Sequence, residues 1–129
     1  MRSALLALAV LLVGCTNPFL PSAADVDLSI VPAEAGEGYA VRIENRGPGM
    51  ARIWGCQDDL NLSIDRLAEG GWEHLADTTG ACRFASPPPI EEGEIRVQPL
   101  GSLAPGTYRV RVRYGPGRGR AQSEPVTIP

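Results

Sequence analysis

The sequence predicts an all-β domain, an antiparallel sandwich of about seven short strands, behind an N-terminal export signal. Three observations carry that expectation. Apolar and polar residues alternate in short stretches, the period of a strand with one buried face. Turn-forming clusters such as "NRGPGM", "EGG", "SPPP" and "GPGRG" separate those stretches and draw on 15 Gly and 12 Pro. The 129 residues, less an N-terminal targeting piece, hold one modest core.

Residues 1–14 read as a signal peptide. Arg2 is followed by the apolar run "ALLALAVLLV" and then by "GC". Ten helical residues would reach about 15 Å, half of the ~30 Å hydrocarbon thickness, so this run is too short to span a bilayer. Leu12-Val13-Gly14-Cys15 resembles the lipobox of bacterial lipoproteins. The resemblance implies cleavage between Gly14 and Cys15, a diacylglycerol thioether on the Cys15 sulfur and, usually, an acyl chain on the freed amine. Two or more chains make a stable anchor where one holds only marginally. A competing A-x-A-like site at Ser22-Ala23-Ala24 lies eleven residues beyond the apolar run, too far for the usual pattern. Residues 15–24, "CTNPFLPSAA", then form a Pro-bearing tether. Thr16, where an aspartate would favour inner-membrane retention, points toward an outer membrane if there are two.

Residues 25–129 form the domain. "VDLSIV" places Val26, Leu28 and Ile30 on one face, and "YAVRIEN" turns Tyr39, Val41 and Ile43 inward with Arg42 and Glu44 outward. "ARIWGC" around Ile53, "LNLSID" with Leu60, Leu62 and Ile64, and "EIRVQPL" with Ile95 and Val97 inward repeat the pattern at shorter length. "GWEHLAD" sets Trp72 and His74 on one face. "TYRVRVRY" is the clearest, sending Tyr108, Val110, Val112 and Tyr114 one way and Arg109, Arg111 and Arg113 the other. "AQSEPVTI" closes the domain, with Pro125 marking an edge.

In "LAPGTYRV", Tyr108 follows a Pro-Gly corner at the start of the penultimate strand, the place of the tyrosine corner of Ig-like domains. Its phenol is expected to bond back to upstream backbone. Val110 stands where antibody domains carry the second cysteine of their inter-sheet disulfide. With "VRIENRG", the Trp54-Gly55-Cys56 segment, "GGW", Cys82 and "LAPGTYRVRVRY", the layout of residues 25–129 resembles Ig-like (fibronectin III-like) domains of bacterial surface lipoproteins. It also resembles the bacterial intracellular proteinase inhibitors. That resemblance implies a fold, and it names no activity.

All 12 basic residues are arginine, which reads as compositional bias rather than selection for forked donors. The net charge of −3 argues against wholesale attraction to nucleic acid and leaves room for a local basic face. Cys56 and Cys82 would close a 27-residue loop, and in an exported protein such a pair is by default oxidised. A zinc site would need His74 beside both cysteines and lacks close C-x-x-C spacing; a free reactive thiol is the other alternative. Catalysis would need His74 as base with Asp77 and a serine such as Ser86, and no G-x-S-x-G elbow supports it. Asp58-Asp59 and Glu91-Glu92-Glu94 read as solvated turns, because the alternating ligands of a Ca²⁺ loop are missing. Asn61-Leu62-Ser63 is a glycosylation sequon by pattern only.

Arg109, Arg111 and Arg113, with Arg118 and Arg120 in the following hairpin, form the most suggestive surface. It suits phosphates, acidic glycans or lipid headgroups, against the plain reading of a solvated face paired with Glu124. The expectation is a lipid-anchored envelope protein, non-catalytic and without cofactor or metal. Its domain would contact an envelope protein, a glycan or an anionic lipid, and no nucleic acid. The alternative is a proteinase inhibitor acting through loops at one end of the sandwich.

Overall fold

The computed structural model describes residues 24–80 and 87–129. Cys15, Cys82 and Ser86 therefore lie outside the described residues. Within them the chain is all-β and antiparallel, an arrangement consistent with a β-sandwich. The strands are β1 (Val26–Pro32), β2 (Tyr39–Asn45), β3 (Gly55–Cys56), β4 (Asp59–Leu60), β5 (Ser63–Ala68), β6 (Gly71–Asp77), β7 (Ile95–Gly101), β8 (Gly106–Tyr114), β9 (Gly119–Gln122) and β10 (Val126–Ile128).

One sheet runs β1-β2-β7 and the other β10-β8-β5-β6, with β9 also on β8; β3 and β4 form a small hairpin. Val26, Leu28, Ile30, Val41 and Ile43 of the first sheet meet Ile64, Tyr108, Val110, Val112 and Ile128 of the second in one buried cluster. The alternation read from β1, β2 and β8 is therefore the alternation that packs. Ala51, Ile53, Leu60, Leu62 and Ile90 complete the same cluster from the connecting segments.

Tyr108 is buried, and its hydroxyl donates to the Ala104 carbonyl at 2.7 Å, four residues upstream. The phenol so satisfied can remain in an apolar core at little cost. Behind it, β9 and β10 share one edge of β8. Between them the ladder is continued by Ser123, whose N–H donates to the Val110 carbonyl and whose Oγ accepts from the Val110 N–H. A side-chain oxygen thus replaces a ladder carbonyl ahead of Pro125.

Three stretches depart from the expected pattern. "ARIWGC" is not a full strand: Ala51 and Arg52 make isolated bridges, to Ile90 and Gly115, and only Gly55–Cys56 pairs as β3. "LNLSID" is interrupted after Leu60, where Thr78 Oγ1 donates to the Leu60 carbonyl and accepts from the Leu62 N–H. In β7 the faces are exchanged, correcting the reading of Ile95 and Val97 as inward. They are 47% and 61% exposed, while Gln98 is buried opposite Val41. The Gln98 amide explains this, since its Nε2 donates to the Leu60 carbonyl and its Oε1 accepts from the Leu60 N–H, at 2.7 and 2.6 Å. A side chain that mimics a peptide group satisfies a strand end that has no neighbour there.

Asn45 ends β2 with the same logic. Fully buried, it donates to the carbonyls of Gly49 and Ile90 and accepts from the Gly47 N–H. It thereby ties the 46–50 loop to the approach of β7, beside the segment that carries Arg52 and Trp54.

Candidate functional site

The outward residues of β8 do not behave as one stripe. Arg109 and Arg111 converge on Asp65, which the β5–β8 register sets directly opposite Arg109. Arg109 Nε donates to the carboxylate at 2.8 Å, and Arg111 donates to it through Nε at 2.5 Å and a terminal nitrogen at 2.9 Å. Arg109 also lies over the Trp72 ring, 4.4 Å from its centroid. The Asp65 side chain is 2% exposed. Hydrogen bonds from Arg111, opposed by burial and reinforced by Arg109, bring its pKa down from the ordinary 3.8 to about 2. The carboxylate that serves the stripe is thus Asp65 and not Glu124.

His74 stands between two carboxylates, Nδ1 3.6 Å from Asp65 and Nε2 3.5 Å from Asp77, and Ser63 Oγ donates to Asp77 at 3.0 Å. Among the described residues no serine hydroxyl hydrogen-bonds the imidazole, and no group of three His, Cys, Asp or Glu is arranged to hold a metal ion. Half-buried Cys56 lies in β3, and its expected partner Cys82 is outside the described residues.

Arg113 belongs to a different neighbourhood. It is exposed and sits directly opposite Arg120 on β9, a like-charge cross-strand pair that repels unless an anion lies between. The turn from β8 to β9 supplies Arg118. Its base is fixed by Tyr114, whose ring packs so closely on Gly119 that a Cβ there would fall 2.2 Å from the ring. Arg52 enters from the other side. Its N–H donates to the Gly115 carbonyl at 2.7 Å and the Gly115 N–H donates back at 2.9 Å. Two residues further Trp54 is 63% exposed, its carbonyl held by the Asn61 N–H at 2.7 Å.

Arg52, Arg113, Arg118 and Arg120, together with Trp54 and Tyr114, line an open cleft of about 820 Å³ with no carboxylate among the described residues of its wall. A second depression of about 760 Å³ shares Trp54, Arg113 and Arg120 with it and extends toward His74 and Asp77. Among the described residues these four guanidinium groups make no ion pair or hydrogen bond. Each of the other described arginines does. Arg42 and Arg46 hold Glu44, Arg66 donates to the Pro105 carbonyl, Arg96 holds Glu94, and Arg109 and Arg111 hold Asp65.

The cleft therefore gathers forked donors without counter-charge around an exposed indole. Forked donors of this kind have the geometry to hydrogen-bond phosphate, sulfate or carboxylate groups, and an indole offers apolar and π contact beside them. Of the residues expected from the sequence, Arg113, Arg118 and Arg120 come together here and Arg109 and Arg111 do not. Arg52, Trp54 and Asp65 were not anticipated. Their signal was nonetheless present, because Arg52 and Trp54 alternate with buried Ala51 and Ile53 and so must face outward. No family model matches the chain, and neither a curated protein nor a solved structure matches it.

Proposed function

We propose that this chain is a lipid-anchored protein of a bacterial cell envelope, exported through residues 1–14 and held by lipid on Cys15. Its Ig-like (fibronectin III-like) β-sandwich is a non-catalytic module that binds an anionic partner. The observation that carries this reading is the collection of every unpaired described arginine, Arg52, Arg113, Arg118 and Arg120, into one cleft beside Trp54. Arg113 and Arg120 stand directly opposite each other on β8 and β9, a like-charge pair whose repulsion a bound anion would relieve. The Tyr108 hydroxyl bonded to Ala104 supports the Ig-like assignment, as does the packing of two antiparallel sheets. A Cys56–Cys82 disulfide belongs to the same reading of an exported domain.

Two measurements test it. In the source cell or a bacterial host, Cys15→Ser is expected to remain unprocessed at Gly14 and to lose lipid labelling entirely; a variant still cut and lipid-labelled would reject the anchor. A photo-crosslinker placed at Trp54 in the native envelope should yield an adduct with an anionic molecule. Arg113→Ser/Arg120→Ser should lower that yield at least tenfold, and Arg42→Ser, whose arginine is committed to Glu44, should leave it unchanged. Equal yields from all three proteins would reject the cleft as the contact.

A further inference from the structure

The end of the tether and the arginine cleft lie at the same end of the domain. Tyr114, a wall of the cleft, donates its hydroxyl to the Ala24 carbonyl at 3.1 Å. Ala24 is where the described chain begins, and eight residues, 16–23, lie between it and Cys15. Even fully extended, the nine steps from Cys15 to Ala24 span no more than about 32 Å. If Cys15 carries the lipid, this end of the sandwich stays within that distance of the bilayer.

From this placement we propose that the Arg52–Trp54–Arg113–Arg118–Arg120 end is a membrane-docking face that seats on the phosphates of anionic lipid headgroups of the membrane holding the anchor. This deepens the function proposed above and rests on its lipid anchor. Charge complementarity supports it locally although the chain as a whole carries −3, since the described residues of the cleft wall include no carboxylate. Asp77, the carboxylate among the described residues that lines the adjoining depression, accepts from Ser63 Oγ and faces His74. The apolar contribution has the right character too. Trp54 and Met50 are 63% and 55% exposed beside the arginines, and a tryptophan flanked by arginine is the usual interfacial anchor of a peripheral protein. Docking would turn a tethered domain into one with a fixed orientation.

The test uses the full lipidated protein with Trp72→Phe, which leaves Trp54 as the sole tryptophan of the two in the chain. It is reconstituted on vesicles of brominated phosphatidylcholine, with or without one quarter phosphatidylglycerol. Flotation with pure phosphatidylcholine reads the anchor alone; quenching of Trp54 reads docking. The expected result is flotation with both, and Trp54 emission quenched at least twofold only where phosphatidylglycerol is present. Half-molar salt or Arg113→Ser/Arg118→Ser/Arg120→Ser should abolish the quenching without affecting flotation. Unquenched Trp54 on floating anionic vesicles would overturn the docking and leave the anchor intact, as would quenching indifferent to salt and to the arginines. Flotation only with phosphatidylglycerol would keep the docking and reject the anchor, and flotation with neither would reject both. A shift in Trp54 emission with soluble acidic polysaccharide but not with anionic vesicles would make the cleft a glycan site and overturn the proposal.

Discussion

Asp65 decides what the arginine strand can do. From sequence, three arginines on one face look equivalent, because alternation reports which side of a strand a residue takes and says nothing about its opposite number. The register places a carboxylate under two of them. The same two arginines tie the Asp65 charge to the stability of the fold. Its folded pKa of about 2 lies below the ordinary 3.8, so the folded protein binds fewer protons than the unfolded chain over that interval. The stabilisation is fully present above about pH 4 and is lost as the pH falls toward 2, at a cost of about 2 kcal/mol for the shift involved. Urea unfolding at pH 5, 4, 3 and 2 should show that decline. Asp65→Asn should lower stability at pH 7 by about 2 kcal/mol, less than the ~3–5 of a fully buried pair, because Arg111 is 41% exposed and can rehydrate. The variant's decline below pH 4 should be shallower but not absent, since Glu44 and Glu94 are also held low by their arginine partners.

At the scale of strands, alternation is a strong guide where both neighbours are regular and a weak one at an edge. β1, β2 and β8 were legible because their apolar residues occupy every second position and meet an apolar sheet face. β7 has the same alternation with the opposite sense. Ile95 and Val97 are the residues a hydrophobicity argument turns inward, yet the interior at that edge is shaped by the peptide groups of Leu60, whose N–H needs an acceptor and whose carbonyl takes a second donor beside Thr78 Oγ1. Gln98 supplies both. Gln98→Ala should therefore destabilise the domain by about 2 kcal/mol, the cost of leaving a buried backbone N–H unsatisfied. Val97→Thr, on the outer face, should change stability by less than about 0.5 kcal/mol. Denaturant midpoints for the two variants in parallel check the inversion, and the reverse ranking would restore the inward reading of Val97. The candidate cleft was only half legible for a related reason. Arg113, Arg118 and Arg120 lie in one continuous hairpin, whereas Arg52 and Trp54 join them through the Arg52–Gly115 bridge, a pairing that no local pattern encodes.

Across the whole molecule, stability and contact surface converge on the connection between the two sheets. The segment from Ala51 to Leu60 contributes Ala51, Ile53 and Leu60 to the core, and between them it exposes Arg52 and Trp54 to the cleft. Its regular pairing is slight, two isolated bridges and the β3–β4 hairpin, so a covalent tie at Cys56 would have more effect there than in a long strand. The proposed Cys56–Cys82 bridge would close 27 residues that include β4, β5 and β6. On the loop-entropy estimate that closure contributes about 3.5 kcal/mol, a large share of the ~5–15 available to a small domain. Thiol titration of the unfolded, unreduced mature protein should return no reactive groups, with Cys15 held as a thioether and the other two as a disulfide; two thiols would reject the bridge. Reduction, or Cys56→Ala with Cys82→Ala, should lower the unfolding free energy by about 3 kcal/mol. It should also broaden Trp54 emission before the Tyr108 core gives way, because the bridge would be anchored two residues from that indole and far along the chain from the tyrosine.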